Sequence, residues 1–154
     1  MKKHIITMII AVLVLVSCDI ETSGNGKLDG FWHLERVDTL ASGGSMDLSS
    51  EHIFWGVQYN LISADDTENG SYGSYYMRFR QTSDSLYITS VYANHWHEDN
   101  ATDSIGGDVP VVEINNDIRH FGINDIPEQF AKEKLDGSKM VLRSKLLRLT
   151  LRRF

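Results

Sequence analysis

The chain is short of the residues on which most enzyme chemistry rests. Its 154 residues include one cysteine, Cys18, and two prolines, Pro110 and Pro127. One cysteine excludes an internal disulfide framework, and no other thiol is present to act as a nucleophile. No Gly-x-Ser-x-Gly elbow occurs, which removes the usual signature of a serine hydrolase. No glycine-rich phosphate loop leads into a helical pattern, and no pair of carboxylates is set apart by apolar surroundings. The chain is read as a non-enzyme without a cofactor. Its 15 Lys and Arg are outnumbered by 21 Asp and Glu, for a formal net charge of −6. Phosphate backbones are held by clustered cations, so nucleic acid is not an expected partner. The one basic cluster, Arg143, Lys145, Arg148, Arg152 and Arg153, alternates with leucines and reads as the solvated face of a strand.

What is present begins with a targeting pattern. Lys2 and Lys3 precede an apolar run from Ile5 to Val16, interrupted only by Thr7. The run is far shorter than the roughly 20 residues a membrane-crossing helix needs, so it reads as the h-region of a signal peptide. Leu15-Val16-Ser17-Cys18 resembles the lipobox of bacterial lipoproteins. The resemblance implies cleavage before Cys18, a lipid thioether on that residue, palmitate incorporation, and an anchor in the cell envelope, expected at the outer membrane. The competing reading is a soluble secreted protein in which Cys18 is incidental. Asp19 and Glu21 after the cysteine are a candidate sorting signal, and the Gly- and Ser-rich stretch that follows reads as a flexible tether. The organisation expected is a signal peptide over 1–17, a tether over 18–27 and one domain over 28–154.

The domain reads as all-β. Aromatic and β-branched runs are separated by Gly, Asn and Asp turns. Strands are expected over 30–37, over 52–61 as one long strand of period two, and over 75–80 and 86–92 as a hairpin. A long loop over 93–108 follows, then a strand over 109–114. Residues 115–125 are irregular or carry a short strand around His120 to Ile123. Residues 130–135 are read as a strand in preference to a short helix capped by Asp125, because Asp136-Gly137 is a hairpin turn leading to a strand over 139–143. Leu147, Leu149 and Leu151 alternate with Arg148, Thr150 and Arg152 in a last half-buried strand. Eight closely spaced antiparallel strands point to a closed or partly open barrel, or to a sandwich.

Leu28-Asp29-Gly30-Phe31-Trp32 resembles the Gly-x-Trp opening of lipocalin-type barrels. The stretch from Phe121-Gly122-Ile123 through Ser138 to Leu142 and Leu147 to Phe154 is similar to the end of the small lipocalin-like lipoproteins of Bacteroidetes. The resemblance implies a tryptophan on the first strand that plugs the closed end and an arginine on the last strand that crosses it. Parity assigns that arginine to Arg153, on the same face as Leu147, Leu149 and Leu151. Arg148 and Arg152 compete if the strand carries a bulge. Trp32 and Arg153 are therefore the expected closure pair.

Small barrels enclose one small ligand in the mouth. Trp55 and Tyr59 share a face in the expected strand, as do Tyr75, Met77 and Phe79. These five are the candidate lining for an apolar ligand, and the competing reading makes them ordinary core. His95 and His97 fall at a spacing that would let two imidazoles face one metal, with Glu98, Asp99 or His120 as further donors, but no cysteine can join them and no metal site is expected. Asp65 to Gly70 lacks the order of a calcium loop. Asn69-Gly70-Ser71 and Asn100-Ala101-Thr102 match glycosylation sequons without significance in a bacterial lipoprotein. Three functions follow: a tethered barrel that binds a small apolar ligand or a protein partner, an envelope accessory with a filled core, and an enzyme as the remote third.

Overall fold

Alternation sends one side of each long strand inward, and the sheet that results curls until its two edges meet. The computed structural model describes residues 23–95 and 107–154. Its strands are β1 (Gly30–Thr39), β2 (Ser45–Asp47), β3 (Ile53–Gln58), β4 (Leu61–Asp66), β5 (Ser74–Gln81), β6 (Ser85–Ala93), β7 (Val109–Val111), β8 (Glu128–Leu135), β9 (Lys139–Arg143) and β10 (Leu147–Arg153), with one short helix, α1 (Asn116–His120). All pairs are antiparallel. The order β1-β3-β4-β5-β6-β8-β9-β10 is closed by pairing of β10 with β1, which makes an eight-stranded barrel. Closure leaves no long open edge. The two remaining strands are short. β2 lies beside β1 past the point where β3 ends, and β7 lies beside β6 before β8 begins.

The interior follows from parity. Trp32, Leu34, Ile53, Trp55, Ile62, Leu86, Ile88, Met140, Leu142, Leu149 and Leu151 are all buried there. Each fully buried side chain of this size contributes roughly 1.5–3 kcal/mol. Arg148 and Arg152 take the outward positions between the leucines, so the C-terminal basic cluster is a solvated strand face.

Three expectations are corrected. The long strand over 52–61 is a hairpin: Gln58 pairs with Leu61 across a turn at Tyr59 and Asn60, and Tyr59 takes a φ of 53°. The turn restarts the alternation, so Ile62, one residue after Leu61, is buried in β4. Phe54, an apolar residue on the outer face of β3, is buried because Phe31 stacks on it at 4.7 Å and Phe154 packs edge-on at 5.2 Å. Residues 115–125 hold a helix rather than a strand. The Asn115 side chain accepts from the Ile118 amide at 2.9 Å and caps α1. The strand expected over 109–114 ends at Val111.

Candidate functional site

The end of the barrel at which β1 begins is sealed by the chain just before it. A single 3₁₀ turn, Gly26–Leu28, puts Leu28 into the core. Trp32, wholly buried, donates from its indole nitrogen to the Leu28 carbonyl at 2.8 Å. Trp32 and Arg153 are direct register partners, and the guanidinium carbon lies 5.3 Å from the indole ring centroid. Arg153 also donates to the Asp29 carbonyl. Gly30 makes room for it: the residue sits at φ 129°, and a Cβ there would meet the Arg153 guanidinium at 2.5 Å. Asn25 ties the entering segment to the neighbouring turns, donating to the Tyr59 carbonyl and to Asp29 and accepting from Gln81.

The opposite end is filled by a segment from the β7–β8 connection. Ile118, Phe121 and Ile123 are buried among the barrel side chains. The Trp55 indole donates to the Phe121 carbonyl at 3.2 Å, and Tyr75 packs against the Phe121 ring at 5.8 Å. Gly122 takes φ 85° within van der Waals reach of Leu149, where any Cβ would stand 2.9 Å from a leucine methyl. A latch holds this plug to the rim. The His120 ring meets the Asp66 carboxylate at 2.8 Å and stacks on Tyr72 at 3.7 Å. Burial pushes the Asp66 carboxyl up, but amide donors from Asn69 and Glu68 and the His120 contact outweigh it and hold the pKa below the ordinary value.

Four of the five candidate lining residues lie in the core and the fifth on the surface. Trp55, Tyr75, Met77 and Phe79 are buried core, and Trp55 packs edge-on against Phe130 at 6.4 Å. Tyr59 does not share a face with Trp55: it stands in the β3–β4 turn, half exposed. Of the histidines, His120 is engaged by Asp66 and Tyr72, and the His95 amide donates to Asp108 at 3.2 Å. Trp96, His97, Glu98, Asp99, the Asn100 sequon and Cys18 lie outside the described residues. Among the described residues, no three His, Cys, Asp or Glu side chains group to hold a metal. In the loop first compared with calcium sites, Asp66 caps a turn, accepting from the Glu68 and Asn69 amides at 3.2 and 2.9 Å.

A model of the lipocalin-like domain matches residues 13–154. The chain belongs to the lipocalin-like domain family. A lipocalin-like protein from Bacteroides uniformis is similar over 84% of this chain and all of its own, at 19% identity and a TM-score of 0.58. An uncharacterized protein from Bacteroides eggerthii is similar over 82% of this chain and 98% of its own, at 20% identity and a TM-score of 0.55. Likeness at this identity speaks for the fold. No protein of curated function matches the sequence. A lipocalin-like barrel is consistent with binding a ligand or a protein.

Several hollows lie on the outside of the lipocalin-like barrel. Three shallow depressions of about 530, 440 and 410 Å³ adjoin across the outer face of β1 and β3 to β6. Gly56, Gln58 and Ser63 line the first two, and Leu61, Tyr76 and Arg78 the second and third, which Tyr92 extends. A separate hollow of about 400 Å³ includes Glu128 and Lys145. Burial is the main influence on Glu128 and raises its pKa, and its carboxylate accepts from the Asn124 amide at 2.7 Å. That carboxylate is occupied in holding its own loop. The plug, its latch and the outer trough escaped the sequence reading. Asn115 three residues before Ile118 was the one local signal of the plug.

Proposed function

We propose that the protein is a lipid-anchored lipoprotein of the outer membrane whose lipocalin-like barrel binds a protein partner on its outer surface. The observation that carries this reading is the occupied interior. Phe121 is buried against Tyr75 and its carbonyl takes the Trp55 indole donor, so two of the candidate lining residues are engaged by the chain itself. The outer trough offers Tyr76, Tyr92 and Arg78 beside Gln58 and Ser63. Tyrosine and arginine are enriched where protein interfaces draw their affinity. The anchor part rests on the lipobox at Leu15 to Cys18.

A photo-crosslinking residue at Tyr76 in living cells tests the surface, with one at Arg143 on the outer face of β9 as control. The expected result is a discrete protein adduct from position 76 that Arg78→Glu abolishes and position 143 lacks. Titration of intrinsic tryptophan fluorescence with fatty acids and hydrophobic dyes tests the interior. A saturable change with these would reverse the reading in favour of a small apolar ligand. For the anchor, Cys18→Ala is expected to abolish radiolabelled palmitate incorporation, and labelling that persists would refute it.

A further inference from the structure

The two ends of the barrel differ in charge, and the tether leaves from one of them. Residues 23–29 cross the closed end, so the chain from Cys18 arrives there, at Ser23. Four residues separate the two, and five steps of chain span at most about 18 Å when fully extended. A lipid on Cys18 therefore keeps this end within reach of the membrane surface.

The surface so placed has the composition of a membrane-facing one. Phe31, Tyr59 and Phe154 are 44%, 50% and 73% exposed around it. Lys27, Arg80, Lys134 and Lys139 are exposed on or next to the same end. Its carboxylates are Asp29, Asp84 and Asp136, and Asp136 is already paired with Lys134 at 3.0 Å. The tether adds Asp19 and Glu21. At the far end acidic groups outnumber basic ones: Asp38, Asp47, Glu51, Asp65, Glu68, Asp117 and Asp125 are exposed or half-exposed there, against Arg36, Arg119, Arg143, Lys145 and Arg148. In an acidic chain this separation orients the molecule. An anionic lipid surface attracts cations within a Debye length and repels carboxylates, and aromatic rings settle at the headgroup level.

We infer that the closed end is a membrane-docking face, seated on anionic phospholipid with Phe31, Tyr59 and Phe154 at the interface. The plugged acidic end then points away from the bilayer. The inference rests on lipidation of Cys18, and the test separates the two.

The lipidated full-length protein is placed on vesicles of equimolar phosphatidylcholine and phosphatidylglycerol. Lipidation consumes the Cys18 thiol, so one added cysteine takes an environment-sensitive fluorophore selectively. Gly137→Cys labels the docking end and Gly70→Cys the far end, and a Cβ meets nothing within 4 Å at either position. The expected result is a blue shift and a several-fold fall in iodide quenching at position 137, with no change at 70. Lys27→Glu combined with Lys139→Glu is expected to remove that protection without preventing flotation. Equal quenching at both positions on protein that floats with the vesicles would overturn the docking face and leave the anchor standing. Protein that does not float would overturn the anchor, and the docking face with it. Protection at 137 that grows with the number of protein copies per vesicle would assign the face to a second copy of the chain and overturn the membrane assignment. Protection that survives the double lysine substitution would overturn the role of charge.

Discussion

Trp32 and Arg153 face each other across the β1–β10 seam, with the guanidinium carbon 5.3 Å from the indole centroid. The seam is the pairing that turns an open sheet into a barrel, so this contact lies where closure is decided. Gly30 belongs to the same unit, since a side chain there would strike Arg153 and strain φ 129°.

Arg153→Ala is expected to lower stability by about 1–2 kcal/mol, from the lost cation–π contact and the lost hydrogen bond to Asp29. Gly30→Ala is expected to cost about 1–3 kcal/mol through backbone strain. Urea midpoints of the singles and the double show the coupling. The double should be more stable than the sum of the singles implies, because removing Arg153 relieves the clash but not the strain.

Phe121→Ala removes the largest side chain of the plug. The expected loss is about 3–5 kcal/mol, as for other buried aromatic truncations. The cavity left between Trp55 and Tyr75 is apolar, so the variant should take up a small aromatic such as indole while the parent does not. Calorimetric titration checks this, and a variant without uptake would mean that the surrounding side chains collapse into the space.

Two buried carboxylates respond to acid in opposite senses. Asp66 has a folded pKa below its unfolded one, so its stabilisation is complete above about pH 5 and lost as the pH falls below about 4. Glu128 has a folded pKa raised above its unfolded one, chiefly by burial. Its protonation adds stability as the pH falls through that raised pKa. Asp66→Asn should flatten the acid limb of a stability profile, and Glu128→Gln should remove the gain on mild acidification. Urea midpoints measured from neutral pH downward distinguish them.

Arg148 reaches Glu133 at 2.6 Å and Asp38 at 3.6 Å on the solvated outer face. Ion pairs this exposed contribute little, so Arg148→Ala is expected to cost under about 1 kcal/mol by chemical denaturation.

The barrel was legible where strands are long and one side faces water. Leu147, Leu149 and Leu151 announce β10 and, through parity, the face that Arg153 shares. Tyr75 to Phe79 and Leu86 to Val91 do the same for the central hairpin. The β3–β4 turn was not legible, because neither Tyr59 nor Asn60 is the glycine that a positive φ favours, and the alternation continues past it to Leu61 before Ile62 departs from it. The plug was harder still. Ile118, Phe121 and Ile123 lie inside because of what the other strands leave vacant, a property of tertiary packing rather than of local pattern. Local pattern likewise does not separate a core position from a cavity lining, and Trp55 and Tyr75 are buried beside the plug.

A barrel that carries its own guest keeps its capacity in one short stretch of chain. Residues 118–123 enter from a connection and form none of the staves, so their bulk can change while the hoop of strands stays as it is. Storage and architecture are thus written in separate parts of this sequence. Trimming the Phe121 ring from the insert would enlarge the room inside the hoop.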